Sequence, residues 1–352
     1  RLDLKQYPLY EEKELAYLKT HYYGGIRKYH WVSLPLELHG VMMLADGTER
    51  KIRIGGESGD PVFTINDLLP HLAADQAKKP LGDAITAEQL NLLVGSRPFP
   101  DDEGSDRVKL AILELLHEKY GIIEEDFLSA ELVAVPALPS YDIGFDRSMI
   151  GAYGQDDRVC AYACLAALFE ESVPKKTAVC MLADKEEIGS EGVTGMKSAA
   201  FDVFMSDLCE TQAVPLKRCY EKSFCLSADV TAAFDPNFAE VYEKQNSAYL
   251  NYGLCISKYT GSRGKSGASD ASAELISFVR GLFTERKEVW QTAELGKTDQ
   301  GGGGTVAAYM ASRNIDTLDA GVPVLSMHAP FETVAKLDCY MMYKAMAAIY
   351  GA

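Results

Sequence analysis

Apolar and polar positions change their rhythm once along this chain. From His30 to Ile65, apolar residues come in short runs, Trp31 to Leu38 and Val41 to Leu44, followed by Asp46-Gly47 as a hairpin turn and then the alternation Lys51-Ile52-Arg53-Ile54. Antiparallel strands fit this region. After a polar stretch, Asp106 is placed to cap a helix in which Val108, Ile112, Leu115 and Leu116 share a face and which ends near Tyr120-Gly121. Glu131 to Val135 reads as a strand stopped by Pro136.

From about Ile150 the pattern becomes strands alternating with helices. The predicted strands include Thr177 to Ala183, Phe224 to Val230, Tyr252 to Thr260, Val289 to Leu295 and Pro323 to His328, with helical stretches such as Val159 to Phe169 and Ala271 to Phe283 between them. Such alternation predicts an α/β layer fold, whose functional groups sit where strands run out into loops. No internal repeat or low-complexity segment interrupts it.

Composition narrows the partners. With 352 residues and 47% hydrophobic content, the chain can fill a core in one large domain or two moderate ones. Its formal net charge of −16 repels phosphate backbones and anionic lipid, so the expected partner is a peptide or small molecule, with no nucleic acid. No apolar run approaches the roughly 20 residues of a membrane helix, and Arg1-Leu2-Asp3-Leu4-Lys5 has no apolar signal core, so the expectation is no membrane and a cytoplasmic protein. The eight cysteines form no CxxC pair and lie mostly among apolar residues, as reduced, buried thiols do.

Three acidic sites and one histidine fall at or near predicted element ends. Asp156-Asp157 precede an apolar helix, where acids either cap the helix and meet its dipole or hold a cation. Glu186-Glu187 follow a buried-looking strand. Neighbouring side chains diverge there, so one can ligate a metal while the other serves as general base; a solvated turn is the plainer alternative. Asp229 lies in the apolar run Phe224 to Val230, where an unpaired carboxylate carries a penalty on the order of several kcal/mol and needs a partner. His328 is the only histidine after His117, so a histidine-dependent site in this half must use it or borrow one from elsewhere.

Neither a GxSxG elbow nor a recognisable nucleophilic cysteine motif accompanies His328, which leaves covalent hydrolysis little support. Several carboxylates with one imidazole suit Zn²⁺, with Mn²⁺ or Co²⁺ also compatible, and an acid shared by two ions gives a two-metal hydrolase. Acid pairs alone also serve glycosidases. The run Gly301 to Gly304, after Asp299-Gln300, can offer backbone N–H groups to a carboxylate or carbonyl, or be a flexible connector, and it lacks the Gly-Lys-Ser/Thr ending of a phosphate loop.

Taken in order, YGQDDR, DKEEIGS, LSADV, KYTGSRGKSGASDA, LGKTDQGGGGT and LSMHAPFE resemble the aspartyl aminopeptidase family of dinuclear zinc exopeptidases, closest to its bacterial branch. The resemblance implies that Asp156 bridges two Zn²⁺ ions, Glu186 is the general base, Glu187 and His328 complete one metal, and Asp229 binds the other. Lys258, Asp299, Gly302 and Gly303 are expected to hold the peptide substrate; His21 is a candidate by position to reach a neighbouring subunit's site, with a satisfied surface histidine as the plainer reading. The implied fold is a zinc-exopeptidase-like mixed sheet flanked by helices. Residues 1–17 and 147–352 form its proteolytic domain, and an inserted β-rich dimerisation domain spans 18–146. Homodimers then build a hollow homododecamer.

The family's remaining histidine ligand lies in an HxDSP motif that runs into the equivalent of Arg1-Leu2-Asp3-Leu4-Lys5, so an N-terminal segment is expected before this sequence. Where better-known members carry histidines after Asp229, this chain reads Val230-Thr231-Ala232-Ala233-Phe234-Asp235-Pro236-Asn237, which leaves the family's acidic-residue preference open. The alternative from another class is a non-catalytic assembly or cargo protein that retains the fold.

Overall fold

In a computed structural model, which describes residues 1–100, 104–170 and 174–352, the Asp46-Gly47 turn forms as its chemistry requires. Gly47 takes φ +83°, Asp46 accepts the Thr48 N–H at 2.8 Å, and Leu44 N–H donates to the Thr48 carbonyl at 2.9 Å. The turn joins two strands of a six-stranded sheet. Its members are β1 (Leu2–Glu12), β2 (Leu15–Tyr22), β3 (Leu36–Met43), β4 (Glu49–Ile54), β5 (Leu92–Gly95) and β6 (Ala130–Pro136), in the order β4-β3-β6-β1-β2-β5. Two helices, α1 (Leu81–Ala84) and α2 (Arg107–Tyr120), belong to the same compact unit, Arg1–Pro139.

Three details of this unit differ from the sequence expectation. The two apolar runs from Trp31 to Leu44 make one strand, β3, and Trp31 instead lies buried in a single 3₁₀ turn. Asp106 does not cap α2, because φ +60° takes it out of the extended geometry of an N-cap; Glu11 of β1 accepts the Val108 and Lys109 N–H groups at 2.7 and 2.9 Å instead. Of the expected helix face, Val108 is buried and Leu115 is 59% exposed. Residues 1–17 were expected with the proteolytic part, yet β1 is hydrogen-bonded to β2 and β6, and the division falls after Pro139.

The second unit, Ser140–Ala352, is mixed α/β. In chain order it contains β7 (Tyr141–Ile143), β8 (Met149–Ala152), α3 (Gln155–Glu170), α4 (Ala200–Thr211), α5 (Leu216–Lys222), β9 (Phe224–Ser227), β10 (Thr231–Ala232), β11 (Leu254–Ser257) and β12 (Gly261–Ser262). There follow α6 (Ala273–Arg286), β13 (Trp290–Thr292), β14 (Gly302–Gly303), α7 (Ala307–Ala311), β15 (Asp316–Gly321), β16 (Pro323–Leu325), β17 (Glu332–Ala335) and α8 (Lys336–Tyr350). The strands form sheets ordered β13-β11-β15-β9, β10-β16-β17-β8-β7 and β12-β14. The first is mixed, because β11 and β15 run antiparallel while β13 and β9 join their neighbours parallel.

Leu254, Ile256 and Leu318 of that sheet pack with Ala163 and Ala167 of α3, Val279 and Phe283 of α6, and Met342 of α8. Burying side chains of this size stabilises by about 1.5–3 kcal/mol for each large one, which fixes the strand ends that carry the acids. The run Thr177 to Ala183 is strand-forming in composition and yet joins no ladder. Among the described residues β9 pairs only with β15, so no strand edge takes up the backbone groups of that run.

Candidate metal centre

Each acidic site predicted from the sequence sits on a turn that its local sequence dictates. Gly154, at φ +74°, turns the chain from β8 into α3, where Asp156 keeps non-helical angles and the Asp156–Asp157 peptide bond is cis. Glu186 and Glu187 occupy a short 3₁₀ turn bounded by Lys185 at φ +63° and Gly189 at φ +94°. Asp229 lies just past the end of β9, not within the strand, and accepts the Val230 N–H at 2.7 Å. Its backbone passes so near Gly321 that a Cβ there would sit 1.4 Å from the Asp229 carbonyl oxygen, which only glycine permits. His328 is in the tight return between β16 and β17, at φ +65°.

The fold brings these separate turns together. His328 Nε2 is 3.2 Å from Asp156 Oδ2 and 3.3 Å from Glu187 Oε1. Donor atoms of Asp156, Glu187 and His328 all lie within 4.8 Å of one another, and so do those of Asp156, Asp157 and Asp229. Asp156 belongs to both groups. The sequence reading had left Asp157 outside the ligand set, because a second acid in a first helical turn has an ordinary dipole role.

The electrostatics are those of crowded, partly buried carboxylates. Burial first, and the charge of Asp156 next, push the Asp229 carboxyl well above its usual range. Burial, then Glu187, Asp157 and Asp156, raise Glu186 to about 7, and burial followed by Asp156 raises Asp157 to about 6. His328 is held protonated, its pKa pushed up to about 11, by hydrogen bonds to Asp156 and then Glu187. A divalent ion among the carboxylates relieves their repulsion and takes the place of the imidazolium proton.

One further residue, Glu332, gave no functional signal in the sequence beyond standing at the end of LSMHAPFE. It is buried, and accepts the Asp156 N–H at 3.1 Å and the His328 N–H at 2.7 Å.

The cluster opens on a cavity of about 680 Å³ that is also lined by Gly301 to Thr305 and by the cations Arg263, Lys265 and Lys297. Gly302 and Gly303 therefore line the cavity, and pair with Ser262 and Gly261 across β12 and β14. Lys258 is turned aside: its Nζ lies 2.6 Å from Asp270 and it is not among the lining residues. Asp299 sits in an exposed turn, also outside the lining. His21 is exposed on β2 of the first unit, with Nδ1 2.9 Å from the Tyr22 carbonyl oxygen.

A family model described as aminopeptidase I zinc metalloprotease (M18) matches residues 1–350. The chain belongs to this family. It is accordingly an aminopeptidase, a metal-dependent hydrolase, and the glycosidase alternative falls away. A probable M18 family aminopeptidase 1 of Clostridium acetobutylicum is 51% identical over 97% of this chain and 74% of its own length. The crystal structure of an M18 aminopeptidase from Thermotoga maritima matches with a TM-score of 0.96 at 44% identity, covering 99% of this chain and 78% of that one. The S. cerevisiae mApe1 dodecamer shares the fold, with a TM-score of 0.76 at 20% identity over 99% of this chain and 76% of its own. Among the described residues no helix is long and apolar enough to cross a membrane.

Proposed function

We propose that this M18 aminopeptidase releases N-terminal residues from peptides with two divalent cations, Zn²⁺ by the family's chemistry, held around Asp156. The observation that carries this reading is the sharing of Asp156 between two donor groups, one completed by Glu187 and His328 and the other by Asp157 and Asp229. Carboxylate oxygens with an imidazole nitrogen are donors that zinc accepts, so the residues fit the ion. When bound, the ions polarise the scissile carbonyl and make water a stronger acid.

Glu186 lies in neither donor group and is the residue left to move protons. It takes one from the attacking water and returns it to the leaving amine, a double task suited to a carboxyl whose proton affinity is raised by burial. The substrate's α-amino group is positively charged and is drawn to the same acidic cluster. Gly302 and Gly303 border the space for the peptide backbone. Arg263 and Lys297 in the same lining support an acidic first side chain as the preferred one.

The proposal extends to assembly and location. The β-rich unit serves as the dimer contact and the dimers build a dodecamer, a reading supported by the dodecameric yeast neighbour of the same fold. Eight free thiols support a reducing, cytoplasmic setting. The test is release of the first residue from peptides with Asp, Glu, Leu or Lys termini, with and without a chelator, alongside metal analysis. Chelator-sensitive release with two ions per chain is expected. Release that persists in metal-free protein refutes the reading, and no release at full metal occupancy favours the non-catalytic assembly protein.

A further inference from the structure

Glu332 occupies a particular place in the sheet that carries the metal cluster. It lies on β17, where it stands opposite Ala152 of β8, and on the other side of β17 Thr333 pairs with Leu325 of β16. The chain leaves β8 toward Asp156 and leaves β16 toward His328. The Glu332 side chain, 2% exposed, bridges those two exits: Oε2 accepts the Asp156 N–H and Oε1 accepts the His328 N–H. One carboxylate thus holds the backbones of two donors that meet in a single group, and each of its oxygens is used for a different one.

We infer that Glu332 is a positioning residue for the metal centre, holding the Asp156 and His328 backbones in register so that their side chains already converge when an ion arrives. It acts through those residues and does not touch the ion or the substrate. Outer partners of this kind orient metal ligands, and their loss costs roughly 10- to 100-fold in metal affinity. The inference rests on the metal reading above. Its chemistry is specific, because both contacts require an acceptor. An amide of the same size has one acceptor oxygen and one NH₂ group, so in Glu332→Gln one of the two backbone N–H groups faces another donor.

Asp338 supplies a matched comparison. It is a fully buried carboxylate on α8 that accepts the Asn251 N–H at 2.9 Å and the Gly253 N–H at 2.7 Å, and neither of those residues belongs to the donor cluster. Asp338→Asn therefore makes the same chemical change and reports the general effect on stability alone.

The experiment titrates Zn²⁺ against a chromogenic chelator in the intact wild-type protein, Glu332→Gln and Asp338→Asn, and records Tm for each metal-free protein. Glu332→Gln is expected to bind zinc roughly 10- to 100-fold more weakly and to lose kcat with little change in KM when zinc is saturating. Asp338→Asn is expected to lower Tm and keep wild-type zinc affinity. Wild-type zinc affinity in Glu332→Gln, with only a lowered Tm, overturns the inference. A wild-type protein that takes up no zinc defeats the metal reading itself. A measurement that needs no variant is hydrogen exchange in the metal-free wild type: the Asp156 and His328 amides should be protected, and fast exchange at both overturns a preset geometry.

Discussion

Replacing Glu186 with Gln removes a charge and a proton acceptor while keeping nearly the same volume. Neither donor group includes Glu186, so Asp156, Asp157, Glu187, Asp229 and His328 are all left to bind metal. Burial is the largest cause of the raised Glu186 carboxyl, and a base brought nearer the working pH is where proton transfer is most effective. Losing such a base costs roughly 10²- to 10⁴-fold in rate, which corresponds to about 3–5 kcal/mol of transition-state stabilisation. The expected result is a drop of that size in kcat, with metal content unchanged. Peptide hydrolysis at saturating substrate, paired with elemental analysis of the same preparation, measures both quantities. A variant that keeps its metal and turns over within tenfold of wild type refutes Glu186 as the base. A variant that loses its metal places Glu186 among the ligands instead.

Asp157→Asn tests the second donor group: bound metal is expected to fall from two ions per chain toward one, because Asp157 joins only the group containing Asp229, and two retained ions by elemental analysis count against its role. Gly321→Ala drives a Cβ into the Asp229 backbone, and the overpacking is expected to cost about 1–3 kcal/mol or more together with most activity, read by denaturant unfolding and assay. Arg313 donates to Asp202 at 2.8 Å and holds that carboxyl below its ordinary range, with Tyr220 adding a second hydrogen bond. The stabilisation from this pair is fully present above the unfolded carboxyl pKa of about 4 and is lost as pH falls through the lower folded value. The Tm difference between wild type and Arg313→Ala is therefore expected to shrink in acid, and a difference that grows below pH 4 contradicts the assignment.

Much of the site was legible before any fold was known. Asp156 stands before an apolar helix, Asp229 in an apolar run, and Glu186, Glu187 and His328 at or just after the ends of strand-like runs, and an acid in such a place already raises the question of its partner. The hairpin at Asp46-Gly47 and the α/β alternation after Ile150 were equally plain, because turn chemistry and hydrophobic period are local properties. Misreadings arose where a distant group decided the outcome. Asp106 had the residue type of a helix cap, but Glu11 of β1 took the role. Thr177 to Ala183 had the composition of a strand, and a strand exists only if another backbone accepts its hydrogen bonds.

By itself, then, the sequence determined which side chains can carry the chemistry and the local turns that present them, since those depend on residue type and near neighbours. Only the tertiary structure decided which of them meet. That Glu332 spans Asp156 and His328 follows from strands β8, β16 and β17 lying side by side, Asp229 is brought to the same place by β10 pairing with β16, and Glu187 arrives on a turn outside both sheets. Those pairings form through buried apolar faces and backbone hydrogen bonds between distant segments, which no short stretch of sequence can specify alone.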